Sequence, residues 1–189
     1  MIIHLGMSGS LRITQFNQPF MKHDHVDFIF EEYILRYNDP RRFGCILWTN
    51  HDPLTHKLIS HLGPEPLSNE FNYDYLYKMS RKRSCSIKAL IMNHCIVVGI
   101  GNIYANEALF LSKINPKHKA SKISKLRYEK LVFSMKTILS KAIKKGGTTI
   151  RDFVNSDGKP GYFSNELKVY NRSGPVSYTH LTLPTNREV

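Results

Sequence analysis

Cysteine is scarce in this sequence. Cys45, Cys85 and Cys95 are odd in number, widely spaced and never in a CxxC pair. That pattern excludes a disulfide framework and a zinc site built from neighbouring cysteines, so no metal ligands are assigned here. Reduced thiols fit a cytoplasmic location. Long apolar runs are missing as well: none approaches the ~18 residues of a membrane span. Met1-Ile2-Ile3 lacks the charged start and small-residue cleavage site of a secretory signal. Acidic residues are few, with 15 Asp and Glu against 27 Lys and Arg, a net charge of +12. Such a balance favours a polyanionic partner. There are no internal repeats, which excludes a solenoid. What remains is a chain of 189 residues, 41% of them hydrophobic, enough for one large or two small packed domains.

The first fifty residues read as strands. Ile2-Ile3-His4-Leu5 is interrupted by Met7-Ser8-Gly9-Ser10 and resumes at Leu11-Arg12-Ile13. Val26–Phe30, Tyr33–Tyr37 and Gly44–Trp48 are further β-rich runs. Asn38-Asp39-Pro40 is a turn signal, because Pro fixes φ and Asn and Asp bond to the local backbone. Short strands with turns between them suggest an antiparallel sandwich or barrel rather than βαβ units. Gly63-Pro64-Glu65-Pro66 then breaks the pattern, and the periodicity becomes helical. Phe71–Met79 reads as one short helix, and Ile87, Leu90 and Ile91 stand at helical spacing. The clearest helix runs from about Ser121 to Lys145. Its apolar stripe is Tyr128, Leu131, Val132, Met135, Ile138, Leu139, Ala142 and Ile143, most of its lysines read as a solvated face, and Gly146-Gly147 ends it. Thr148–Gly161 is a long polar loop, of the kind that carries function. Leu167–Tyr170 reads as a last strand or helix turn.

One stretch carries chemistry. In Val97-Val98-Gly99-Ile100-Gly101-Asn102-Ile103-Tyr104, bare glycines precede a helix start, with Asn102 placed as its N-cap. Free N–H groups and the positive end of the helix dipole make such a start an anion site. A dinucleotide fold would need a third glycine where Tyr104 stands, and an acidic residue where Lys117-His118-Lys119 lies. A P-loop would need a following Gly-Lys-Ser/Thr. Nucleic-acid phosphate remains.

The stretch from Val98 to Phe110 resembles the helix–two-turn–helix motif of the formamidopyrimidine-DNA glycosylase family. So, in order, do His4–Gly9, Lys22–Asp27, Asp39–Gly44, His61–Pro66, Gly146–Thr149 and Asp157–Phe163 resemble other family motifs. The resemblance covers residues 1 to about 174. It implies an α+β protein, with an incomplete antiparallel β-sandwich domain (1–62), a linker (63–70), and a helical domain with the DNA-binding motif and a lesion-recognition loop (71–174). Residues 175–189 read as a foreign tail in place of a zinc finger.

The resemblance also implies roles. A glycosylase takes its base out of the duplex and fills the gap; Met7, Arg41 and Phe43 match the void-filling residues, with Phe43 as the wedge and Arg41 on the orphaned partner base. His23, Arg41, Arg42, Arg83, Lys88, Gly101 and Asn102 match DNA-binding positions. His25 rivals His23, as it would share a strand face with it. Thr148, Thr149, Phe153 and Lys159 match the loop over the flipped base. The partner implied is duplex DNA holding oxidised bases or abasic sites, bound by a monomer. The activity implied is excision of 8-oxoguanine and formamidopyrimidines, followed by β,δ-elimination at the abasic site. A non-catalytic DNA-binding module on the same scaffold, or an oxidised-pyrimidine glycosylase of the endonuclease VIII kind, is the alternative.

Two family features have no counterpart here. The family attacks the sugar with an N-terminal proline, assisted by a glutamate, whereas this sequence opens Met1-Ile2-Ile3. The expectation is therefore a fragment without catalytic residues. The family also holds zinc with four cysteines near its C-terminus, and no cysteine follows Cys95. No cofactor is expected in this chain.

Overall fold

The computed structural model describes residues 1–148 and 163–170. Five strands come first: β1 (Ile2–His4), β2 (Ser10–Thr14), β3 (Asp24–Ile29), β4 (Ile34–Asn38) and β5 (Cys45–Leu47). Four α-helices follow: α1 (Tyr73–Ser80), α2 (Ile87–Ile91), α3 (Asn102–Leu111) and α4 (Lys125–Lys144). Strands and helices segregate along the chain, as an α+β protein requires. Among the described residues the backbone divides into two compact units, residues 1–60 with 142–148 and 163–165, and residues 61–141 with 166–170.

In the first unit β1 pairs with β5, and β4 lies between β2 and β3, all antiparallel. A register shift between Asp24 and Val26 marks a bulge at the start of β3. Ile2, Ile34 and Tyr37 are buried, but so are Thr14, Arg36 and Asp39. The buried guanidinium of Arg36 is satisfied by a two-pronged bond to Asp27, at 2.8 and 2.9 Å, and lies over the Phe20 ring. Ile13, Phe16, Phe20, Ile29 and Trp48 stay exposed.

The second unit has a continuous apolar core of Phe71, Leu76, Ile87, Leu90, Ile91, Ile96, Leu109, Ile123, Tyr128, Leu131 and Met135. Asn72 caps α1 by accepting from the Tyr75 N–H at 3.0 Å, and Ser86 caps α2 through the Ala89 N–H at 3.2 Å. The long helix starts at Lys125 rather than near Ser121, because Ala120–Lys122 winds into a 3-10 turn. Arg81 holds that turn by donating to the carbonyls of Ser121, Ala120 and Ile123, with its guanidinium over Tyr77. The apolar stripe of α4 is buried through Ala142, but Ile143 is exposed. Lys136 leaves the solvated face and donates to the Ser68 carbonyl at 2.6 Å. At the far end the Gly147 N–H returns to the Ala142 carbonyl at 2.8 Å, closing the helix. Leu167–Tyr170 is neither strand nor helix. It follows a 3-10 turn, Phe163–Glu166, and its N–H groups are taken by a carboxylate from α3.

Candidate nucleic-acid interface

The first unit gathers its candidate residues around one buried carboxylate. Asp39 follows β4 directly and has no exposed surface. Its Oδ1 accepts from the Ser8 hydroxyl at 3.0 Å and the Arg41 N–H at 3.3 Å; Oδ2 accepts from the Gly44 N–H at 2.9 Å and the Tyr37 hydroxyl at 3.0 Å. Its own N–H donates to the His23 carbonyl, and its carbonyl meets His25 Nε2 at 2.9 Å. One residue thus ties the loops carrying Met7, His23 and Arg41–Phe43. The Gly44 N–H, aided by the Tyr37 and Ser8 hydroxyls and the Arg41 N–H, holds the Asp39 carboxyl down to about 2 against the cost of burial. Burial and this carboxylate push the Tyr37 phenol up to about 12.

Above this anchor two loops press backbone to backbone. Gly6 has φ +62°, and a Cβ there would stand 2.8 Å from the Phe43 carbonyl carbon, so only glycine fits. The apolar side chains beside this contact face outward: Met7 is 75% and Phe43 63% exposed. Arg41 and Arg42 are also exposed. Large apolar groups held outward by a rigid polar brace are the informative kind of exposure. His23 precedes β3, with φ +73°, and so does not share a strand face with His25; the bulge breaks the two-residue alternation.

The second unit builds a helix start. Asn93 accepts from the Cys95 N–H through its side chain and from the Ile96 and Val97 N–H groups through its carbonyl. The Tyr75 hydroxyl donates to the Ile96 carbonyl at 3.0 Å. These bonds fix the approach to Gly99, which takes φ +72°. The N-cap of α3 is Gly101 and not Asn102: Asn102 is the first helical residue, and its side chain accepts from Asn106 Nδ2 at 3.4 Å. With no side chain capping it, the first turn keeps its N–H groups for an external acceptor. A Cβ on Gly101 would meet nothing within 4 Å, so the approach is open. Lys88 lies in the first turn of α2, which packs on α3, and Arg83 precedes it; both are half-buried.

Thr148 is half-buried at the edge of the described residues, while Thr149, Phe153, Lys159 and the 175–189 tail lie outside them. Sequence reading missed three positioning residues. Asp39 read as part of a turn signal and of a resembling motif, with no role of its own. Arg81 sat inside a basic cluster. Glu107, buried on α3, accepts the Lys168, Val169 and Tyr170 N–H groups at 2.8, 2.9 and 2.9 Å. A Glu amid apolar helix neighbours was the available signal, since a buried carboxylate needs donors. The four-cysteine zinc site of the resembling family does not fit these residues, because the sequence has only three cysteines.

The interface geometry has known counterparts. Residues 1–46 match the model of the formamidopyrimidine-DNA glycosylase N-terminal domain, and residues 62–154 that of the formamidopyrimidine-DNA glycosylase H2TH domain. The chain is 56% identical over 186 residues to a formamidopyrimidine-DNA glycosylase of Nitrosococcus oceani, covering 96% of this chain and 69% of that protein. A relative from Saccharophagus degradans is 58% identical over 174 residues, with 92% and 64% covered. Among solved structures, the MutM (Fpg) protein of Thermus thermophilus superposes with a TM-score of 0.81 at 32% identity, covering 91% of this chain and 64% of that one. The Lactococcus lactis Fpg in complex with abasic-site DNA gives 0.80 at 35%, with the same coverage. The chain thus spans about two thirds of the proteins it matches. The exposed Met7 and Phe43 loops, the uncapped helix start and these likenesses lead to one conclusion: the chain belongs to the formamidopyrimidine-DNA glycosylase family.

Proposed function

We propose that this chain docks duplex DNA at oxidised purines and abasic sites, in the base-excision repair that its relatives' names describe. The observation that carries the reading is the Asp39 brace, which hydrogen-bonds to both of the loops that carry the exposed Met7 and Phe43. Exposed apolar side chains on loops tied to a common anchor suit insertion beside a vacated base position. In this reading Phe43 wedges between base pairs, Met7 enters the gap and Arg41 bonds the orphaned base. His23, Arg42, Arg83 and Lys88 contact phosphates, as do the N–H groups at Gly101–Asn102. Phosphate contacts position the duplex and do not read its sequence. Thr148, Thr149, Phe153 and Lys159 close over the extruded base. The whole protein excises the base and cleaves the abasic site with the family's N-terminal amine. A monomer in the cytoplasm suits a partner carried by the nucleoid.

Titration onto duplexes with and without an abasic-site analogue tests the docking. Tighter binding of the abasic duplex is expected, and equal affinity for the two overturns the reading.

A further inference from the structure

We propose that His61, His94 and Cys95 form a binding site for a divalent transition metal of the zinc class. Their ligand atoms, two imidazole nitrogens and a thiol sulfur, all lie within 4.8 Å of one another. Tetrahedral zinc with bonds of about 2.0–2.3 Å sets its ligands roughly 3.3–3.8 Å apart, so side-chain movement of roughly 1 Å closes the set. The donors are chemically right, because imidazole and thiolate together select zinc and its neighbours over hard cations such as magnesium or calcium.

The backbone brings the three together and keeps them there. His61 is 33 positions from His94 in sequence, yet the Gly63 N–H donates to the His94 carbonyl at 2.8 Å and the Val98 N–H to the Pro64 carbonyl at 3.3 Å. A Cβ on Gly63 would stand 2.5 Å from the Ile96 carbonyl carbon, so the two segments touch at backbone distance. The Asn93 turn presents His94 and Cys95 side by side, with the Cys95 N–H on the Asn93 side chain at 2.9 Å. The two imidazoles already meet edge to face, with ring centroids 5.4 Å apart. All three residues are exposed, so an ion enters from solvent and water completes its coordination. Binding replaces the Cys95 S–H bond with a metal–sulfur bond and releases one proton to the buffer; neither redox change nor co-reactant is needed. The bound ion staples the 61–64 segment to the turn that leads into Gly99 and α3. The sequence pattern concealed this site, since none of its spacings is that of a zinc motif.

The test uses the whole chain, stripped with chelator and kept reduced. Cobalt(II) titration should give a thiolate-to-cobalt charge-transfer band and tetrahedral visible bands that saturate at one ion per chain. Zinc should displace the cobalt and shield Cys95 from alkylation. Cys95→Ser should abolish the charge-transfer band. His61→Ala and His94→Ala should each weaken zinc binding by about tenfold or more, given that even outer-sphere partners are worth 10–100-fold. Cys45→Ser and Cys85→Ser should leave binding intact. The substituted ligands are exposed, so thermal unfolding should show that these variants fold. Absence of one-to-one binding at micromolar free zinc overturns the proposal, as does equal zinc affinity in Cys95→Ser.

Discussion

At the residue scale the structure turns on Asp39. Its carboxylate serves two loops at once, so substitution removes acceptors from both. Asp39→Ala leaves the buried Tyr37 hydroxyl without its partner, a loss of about 1–3 kcal/mol, which urea denaturation measures as a lower midpoint. The same variant should weaken binding to abasic duplex, because Met7 and Phe43 lose their common anchor. The pH dependence follows from the lowered carboxyl. The ionised form is favoured in the folded state, so its contribution is complete above the unfolded value of 3.8 and declines as pH falls toward about 2. Acid titration of wild type and Asp39→Asn should therefore show a constant difference above about pH 5 that shrinks as pH falls from about 4 toward 2. Phe43 behaves oppositely. It is exposed, so Phe43→Ala should change stability by no more than about 0.5 kcal/mol. Its loss from the duplex should cost about 1–2 kcal/mol of binding, a factor of 5–30.

At the scale of elements, the α3 start makes the sharpest prediction. Gly101 has extended backbone (φ −91°) and open space around its missing Cβ. Gly101→Ala should therefore fold normally, yet place a methyl group where a phosphate approaches, and so weaken DNA binding. Gly99→Ala should instead lose about 1–2 kcal/mol of stability through its left-handed φ. Thermal unfolding and fluorescence anisotropy on the same samples separate the two effects. Much of this level was legible in the sequence. All five strands fall within or overlap the apolar runs between turn signals, and Gly146-Gly147 marks the end of α4. The illegible parts have two causes, local backbone turns that displace a residue by one position and long-range bonds between a side chain and the backbone. Asn102 looks like a cap because Asn favours caps, but the chain turns one residue earlier, at Gly101. Leu167–Tyr170 reads as a last strand or helix turn, but Glu107, some sixty residues away in sequence, takes the N–H groups of Lys168, Val169 and Tyr170. His23 and His25 look like strand neighbours until the bulge separates them.

At the scale of the whole molecule, charge governs affinity. A chain with net charge +12 should bind any duplex weakly, with log affinity falling against log salt by ~0.9 per phosphate neutralised. Arg83→Ala and Lys88→Ala should each flatten that slope by roughly one unit, and neither should alter the preference for damage. Under the proposed function that preference belongs to the Met7 and Phe43 loops instead. Basic composition alone was visible from the start; which of its charges face the solvent was not, as Arg36 and Arg81 turn inward to satisfy carboxylates and carbonyls.

The most direct measurement is an anisotropy titration of the chain onto two duplexes that differ only in one abasic-site analogue, repeated with the Met7→Ala and Phe43→Ala double variant. The abasic duplex should be bound more tightly by the native chain, and the double variant should bind both duplexes equally, with its thermal stability unchanged. Equal affinity of the native chain for both duplexes, or a preference that survives the double substitution, would contradict the account.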